Sequence, residues 1–356
     1  MSIDLFAPFK IGNLETRNRF MRSATYDGTA DEAGAVTQRS LDLYRELGKG
    51  HIGLIVTGHA YISRLGQAGA GQYGIYDDQL IPGLQRLTAV VHDEGGKIAV
   101  QIAHAGINSN YLERQGIPAL AVSASAEAQR PHREMDDAQI ETVIGEFVGA
   151  AQRAVEAGFD AVQLHGAHGY LMSQFLSPLT NFRKDRWGGS AKNRRAFQNE
   201  VVKRVRKAIP RGFPLLIKFG VKDDQESGLT VDEGLEAARQ LVAAGIDGIE
   251  VSGGIGMASV AKGEAYFRDR AAAVKRAVGV PVMEVAGIRS IATAQSIVDS
   301  GDADMISMSR PFIREPGLIS RWEQDAKDAK CVSCSRCFAF TRHGLLLCGQ
   351  DHRIPD

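Results

Sequence analysis

Short apolar runs alternate with longer amphipathic stretches along the whole chain. The runs Arg19–Ala24, Gly53–Thr57, Ile98–Ile102, Ala161–His165, Leu215–Phe219, Gly248–Ser252, Val282–Ala286 and Asp304–Ser309 are dominated by apolar residues without polar alternation. That pattern predicts strands of a parallel sheet buried on both faces. Gln139–Ala157, Lys192–Ala208, Val231–Ala244 and Ile291–Ser300 carry helical patterning. Ser290 is placed to cap the helix at Ile291, and Gly158 and Gly245 fall just past helix ends.

Eight such strand–helix units predict an α/β fold, a (β/α)8 TIM barrel. The alternative is an open doubly wound sheet, but no early Gly-x-Gly-x-x-Gly turn marks a dinucleotide crevice. Leu5 to Asn18, with Pro8 and Gly12, precedes the first strand and predicts a small hairpin capping the barrel base. Residues 104–136 make a long connection after the third strand, which suits an active-site mouth. The expected division is a barrel over 1–325 and a cysteine-rich extension over 326–356.

The 356 residues are 44% hydrophobic and 24% charged, which suits one large globular core. A formal net charge of +0 gives no footing for nucleic acid or an acidic membrane surface. No apolar run approaches membrane-spanning length. The start, MSIDLFAPFKIGN, lacks the basic and apolar blocks of a secretory leader. A cytoplasmic location and a small-molecule substrate are expected, with no nucleic-acid or membrane partner. Oligomeric state is open, a homo-oligomer included.

All four cysteines, Cys331, Cys334, Cys337 and Cys348, crowd the tail. Crowding argues against a disulfide framework and for a local site. Four thiolates at this spacing suit an iron–sulfur cluster or zinc, and spacing alone does not choose. A metal-free tail is the third option.

Barrel enzymes work at the C-terminal ends of their strands. Those ends collect Ser23-Ala24-Thr25, Gly58-His59, Gln101 with His104, His165 with His168, Lys218, Ser252-Gly253-Gly254, Gly287 and Ser309-Arg310. The segment His165-Gly166-Ala167-His168-Gly169-Tyr170 sets two imidazoles and a phenol at one strand end. Two neutral donors polarise an oxygen, and a phenol delivers a proton. A glycine-rich turn with satisfied polar groups is the plainer reading, and zinc lacks a third ligand nearby. The late glycines with Arg310 suggest a phosphate site, against turn chemistry with a surface arginine. Lys218 either stabilises negative charge on a bound ring or pairs with Asp223 or Asp224. Gln101 either reads a carbonyl–imide edge or closes the barrel top.

HGAHGYLMSQFLSPLTNFRKDRWGGS at 165–190, with TRNRFMRSAT, GLIVTGHA, VQIAHAG, VAGIRS and ISMSRPFIREP, resembles the old yellow enzyme family of FMN-dependent oxidoreductases. The resemblance runs from Leu5 to about Gly317. It implies a barrel with FMN on its top and NAD(P)H as cosubstrate. Ser23, Ala24 and Thr25 would line the flavin face; Gly58 and Gln101 would contact the ring; Lys218 would sit near N1. Gly254, Gly287, Ser309 and Arg310 would hold the phosphate. His165 and His168 would bind the substrate oxygen, and Tyr170 would donate the proton for reduction of an activated alkene. The chain departs from the common pattern at Tyr26, Gly58, Lys218 and Ser309, which bears on redox potential and substrate preference. The cysteine spacing resembles the 4Fe-4S segment of the trimethylamine dehydrogenase and 2,4-dienoyl-CoA reductase branch. That resemblance implies a second activity, amine or ether-bond dehydrogenation with electrons passing to a cluster. A non-catalytic flavin- or phosphate-binding barrel is the third reading.

Overall fold

The computed structural model describes residues 2–125, 129–256, 263–341 and 345–353. Eight parallel strands form a closed barrel: β1 (Phe20–Arg22), β2 (Leu54–Val56), β3 (Ile98–Ala103), β4 (Ala161–Gly166), β5 (Leu215–Gly220), β6 (Gly248–Ser252), β7 (Val282–Val285) and β8 (Met305–Met308). Closure comes from β8 pairing with β1, Ile306 opposite Phe20 and Met308 opposite Arg22. The helices α1 (Gln38–Lys49), α2 (Ile81–His92), α3 (Asp137–Glu156), α4 (Ala196–Ala208), α5 (Val231–Ala244), α6 (Arg268–Ala277) and α7 (Ile291–Asp299) separate successive strands. Two short helices, Arg310–Arg314 and Leu318–Trp322, follow β8. Among the described residues no helix is long and apolar enough to cross a membrane.

Every expected strand is present: β1, β2, β7 and β8 are shorter than expected, β3, β4 and β5 run one residue further, and β6 keeps its expected bounds. β7 stops at Val285 because Ala286 (φ 130) and Gly287 (φ 76) leave the extended region. The expected helix over Lys192–Ala208 is two pieces, Ala191–Arg194 and α4. Ser290 caps α7 as expected, accepting from the Thr293 N–H. Gly158 (φ 81) and Gly245 (φ 122) take the left-handed backbone that ends a helix.

The barrel interior is layered. At the base, the antiparallel hairpin Phe9–Ile11 and Leu14–Thr16 inserts Ile11 and Leu14 among Met21, Leu54, Val56, Ala99, Ala161, Leu216, Met283 and Met305. This is the capping hairpin expected from sequence. Gly248 makes room for it, since a Cβ there would lie 3.4 Å from Ile11 and 3.0 Å from Leu216. Above this apolar plug, strand register sets Gln101 opposite Gln163, and Lys218 opposite both His165 and Glu250. Side chains alternate faces along a strand, so these polar residues share the inward face.

The long connection after β3 carries a short helix, Asn110–Arg114, and a two-stranded sheet, Ala119–Ala121 with His132–Glu134. It leans on the His165–Tyr170 turn through Asn108, whose amide donates to the Gly169 carbonyl at 2.7 Å. The cysteine tail packs back on the barrel. Phe340 is fully buried, and the Ala329 N–H donates to the Arg289 carbonyl.

Candidate active site

Glu250 organises the polar layer. It is fully buried and accepts from Ser23 Oγ at 2.6 Å, Ser307 Oγ at 2.7 Å and Gln163 Nε2 at 2.9 Å. Lys218 Nζ stands 3.4 Å from its carboxylate and donates to Ser23 Oγ at 2.5 Å. Gln101 joins the network by donating to Gln163 Oε1 at 2.7 Å. A buried charge needs a partner and further hydrogen bonds, and four strands contribute them here. Lys218 therefore pairs with Glu250, not with Asp223 or Asp224 as its sequence neighbours suggested. Asp223 is taken by Ser177 and the Leu229 and Ile255 N–H groups, and Asp224 by Arg270.

Over this floor lies a cavity of about 540 Å³. Ser23, Ala24, Thr25, Gln101, His165, His168, Tyr170, Lys218, Gly287, Ser309 and Arg310 all line it. The turn after β4 builds one wall. His168 (φ 58) and Gly169 (φ 71) are consecutive left-handed residues, and the His168 N–H is tied to the Gly253 carbonyl at 3.0 Å. A left-handed non-glycine is costly unless its surroundings hold it. Here the bend gathers the rings, with centroids 4.7 Å apart for His165–Tyr170 and 5.3 Å for His165–His168. His168 Nε2 lies 2.7 Å from Ser252 Oγ. Among the described residues the buried Nδ1 of His165 has no hydrogen-bond partner.

Burial disfavours charge on an imidazole and on a phenolate alike. It lowers His165 well below the ordinary range, with His168, His59 and Lys218 adding to the effect. It likewise lowers His168, which keeps solvent-exposed surface but has protein packed around its ring, and Lys218 adds to the shift. His59 is brought down to about 4 by burial. The Tyr170 phenol is pushed up to about 12, chiefly by burial. At neutral pH the wall thus presents uncharged imidazoles and a protonated phenol.

At the far end stand Gly287, Ser309 and Arg310, with Thr25 Oγ1 2.7 Å from Ser309 Oγ. Arg310 Nη1 donates to the Ser333 carbonyl and Ser335 Oγ, both at 3.0 Å. Ser333, Ser335 and Phe338 of the cysteine tail also line the cavity.

Two expected contact residues lie outside the lining. The Gly58 N–H is taken by Tyr44 Oη at 2.9 Å, and the neighbouring His59 faces the cavity instead. The Gly254 N–H is spent on the Lys222 carbonyl at 3.1 Å, so it has no donor left for an anion. Sequence reasoning passed over His59 as a functional residue although it named it at a strand end. It also missed Glu250, whose signal was a carboxylate inside an apolar strand.

The four cysteines line a second, small cavity beside Arg310 and Ile313. All are free thiols. Among the described residues no three His, Cys, Asp or Glu side chains are set to hold a single metal ion.

Comparison with known proteins follows the same lines. The chain is 34% identical over 348 residues to an NADH oxidase of Thermoanaerobacter brockii, covering 93% of this chain and 53% of that protein. It is 33% identical over 318 residues to an NADPH dehydrogenase of Geobacillus sp. (strain WCH70), covering 89% and 92%. It superposes on 2-naphthoyl-CoA reductase in complex with 2-naphthoyl-CoA with a TM-score of 0.91 at 28% identity, covering 97% of this chain and 56% of that one. The chain spans about half the length of several curated relatives, at 53%, 51% and 52% of theirs. The family model for NADH:flavin oxidoreductase / NADH oxidase matches residues 4–329, and the chain belongs to that family.

Proposed function

We propose that this protein is an FMN-dependent NAD(P)H oxidoreductase that reduces an activated carbon–carbon double bond. The residues fit the cofactor. The cavity is mostly apolar, has an amide and an ammonium on its floor at Gln101 and Lys218, and a guanidinium at its far end. A flat ring with a polar edge and a phosphate tail asks for those groups in that order. Gln101 and Lys218 would hold the ring edge; Gly287, Ser309 and Arg310 would hold the phosphate. Bound there, FMN would supply the redox chemistry of hydride transfer between NAD(P)H and the alkene. His165 and His168 donate to the substrate's carbonyl or nitro oxygen and withdraw electron density from the double bond. Tyr170 protonates the carbon next to that activating group.

The observation that carries this reading is two neutral imidazoles and a protonated phenol gathered on one wall above Lys218. No carboxylate lines the cavity among the described residues, which disfavours a cationic amine and favours an oxygen to be polarised. The test is a spectrum of the purified protein, then NADH- or NADPH-driven consumption of a cyclic enone by wild type and Tyr170→Phe. Flavin bands and alkene reduction slowed in the variant by about a hundredfold are expected. A colourless protein that takes up no FMN overturns the cofactor assignment, and a wild-type rate in Tyr170→Phe overturns the proton donor.

The four thiols around one cavity support a second, narrower proposal, that they hold a 4Fe-4S cluster. A brown absorbance shoulder in anaerobically prepared protein, lost in Cys337→Ser, is expected; iron-free protein overturns it.

A further inference from the structure

We propose that His59, locked in one tautomer by Gln72, is a positioning residue that aims the Tyr170 proton into the cavity and stabilises the phenolate left behind. This rests on the reading of Tyr170 as proton donor.

The chain of hydrogen bonds fixes each proton in turn. Gln72 is buried, and its Oε1 accepts from the Ala68 N–H at 2.7 Å. A carboxamide has one accepting end and one donating end. With the oxygen turned to Ala68, the Nε2 amino group faces His59 Nδ1 at 2.7 Å and has only protons to offer. Nδ1 is therefore the bare nitrogen. A neutral imidazole carries a single N–H, so the proton is on Nε2. Nε2 lies 3.3 Å from Tyr170 Oη. With no lone pair on Nε2, Tyr170 has nothing to donate to there, and its oxygen accepts. The one phenolic hydrogen is left to point elsewhere, toward the cavity.

The assembly is held rigidly. Tyr26 stacks on His59 with centroids 5.5 Å apart and an interplanar angle of 15°. The Tyr26 hydroxyl is tied to the Ala70 carbonyl. Ser109 Oγ donates to the Gln67 carbonyl at 2.5 Å, fixing the loop that carries Gln72.

In the proton transfer, the Tyr170 O–H bond breaks and its electron pair stays on oxygen. The electron pair on the substrate's α-carbon forms the new C–H bond, and solvent returns the proton. The phenolate keeps the His59 N–H as donor, and a hydrogen bond to an ionised acceptor is stronger than one to a neutral acceptor. The stabilisation therefore grows as the transfer proceeds, which lowers the barrier to protonation.

Two readouts test this. The first is independent of catalysis: 15N shifts of His59 in FMN-loaded protein, assigned by their loss in His59→Gln. The Nε2–H tautomer is expected in wild type and the Nδ1–H tautomer in Gln72→Glu, whose carboxylate still accepts from Ala68 but attracts a proton to Nδ1. An Nδ1–H signal in wild type overturns the proposal, whatever Tyr170 does. The second is enone reduction. Gln72→Glu is expected to lower kcat about tenfold or more with KM unchanged, and His59→Gln, whose amide still donates, to keep most of the rate. Wild-type kcat in Gln72→Glu, or a loss confined to KM, overturns the proposal. A wild-type rate in Tyr170→Phe instead strikes the donor assignment and leaves the tautomer result standing.

Discussion

Replacing Glu250 with glutamine tests whether one carboxylate holds the cavity floor. The side chain is fully buried, and Lys218 beside it is only 3% exposed. Ser23, Ser307 and Gln163 donate to Glu250 at 2.6, 2.7 and 2.9 Å, with Lys218 Nζ at 3.4 Å. Glutamine keeps the shape but offers one oxygen in place of two. Its amino group must face donors, and the ammonium loses its counter-charge. Removing one partner of a buried ion pair costs about 3–5 kcal/mol. Unfolding entropy near ~2.1 cal/mol/K per residue, over this length, converts that loss to a fall in melting temperature of roughly 4–7 °C. Scanning calorimetry of Glu250→Gln, Lys218→Met and the double variant reads it. The double variant is expected to melt above the sum of its parts, because the second change removes the charge that the first stranded. A single variant that melts with wild type, or strictly additive losses, would refute the ion-pair reasoning.

Two other perturbations probe the flanks of the site. Gly287→Ala places a Cβ 2.6 Å from the Gly263 carbonyl at a residue with φ +76. It is expected to cost on the order of 1–3 kcal/mol of stability and to weaken FMN uptake in a fluorescence titration; an unchanged titration refutes the phosphate-end assignment. Glu284 is fully buried, neither carboxylate oxygen is hydrogen-bonded among the described residues, and burial raises it from 4.5 to about 8. A raised folded value means stability that is complete below pH 4.5 and lost as pH climbs through about 8. Glu284→Gln should therefore gain on wild type across that window, by up to about 1.4 kcal/mol per pH unit, and equal melting differences at both ends would refute it.

The barrel was readable because parallel strands buried on both faces leave continuous apolar runs, and the His165–Tyr170 turn because polar residues at such a strand end have no packing reason to be there. What stayed hidden depends on register and on irregular loops. Gly58 and His59 are adjacent beyond the end of β2, and only coordinates show that the Gly58 N–H is taken by Tyr44 while the His59 ring faces the cavity. Glu250 announced itself as a charge in GIEVS, but its partners come from four other strands, spaced as far as 227 residues away at Ser23. Gln72 lies in a loop with no periodic pattern, 13 residues beyond His59, so no local rule connects the two.

The cysteine tail contributes side chains to the barrel's cavity. A boundary at residue 325 separates barrel from extension in sequence, yet Ser333, Ser335 and Phe338 line the same cavity as Ser23 and Lys218. The tail is seated by specific bonds: Arg310 to Ser333 and Ser335, Arg314 to Asp351 at 2.8 Å, and the Lys330 N–H to Glu315 at 2.5 Å. Arg310 also lines the small cavity of the four thiols. One guanidinium thus borders both cavities. The seating of the tail and the shape of the Gly287–Ser309–Arg310 end of the cavity are therefore linked, and truncation before Cys331 would remove a wall of that cavity along with the thiols.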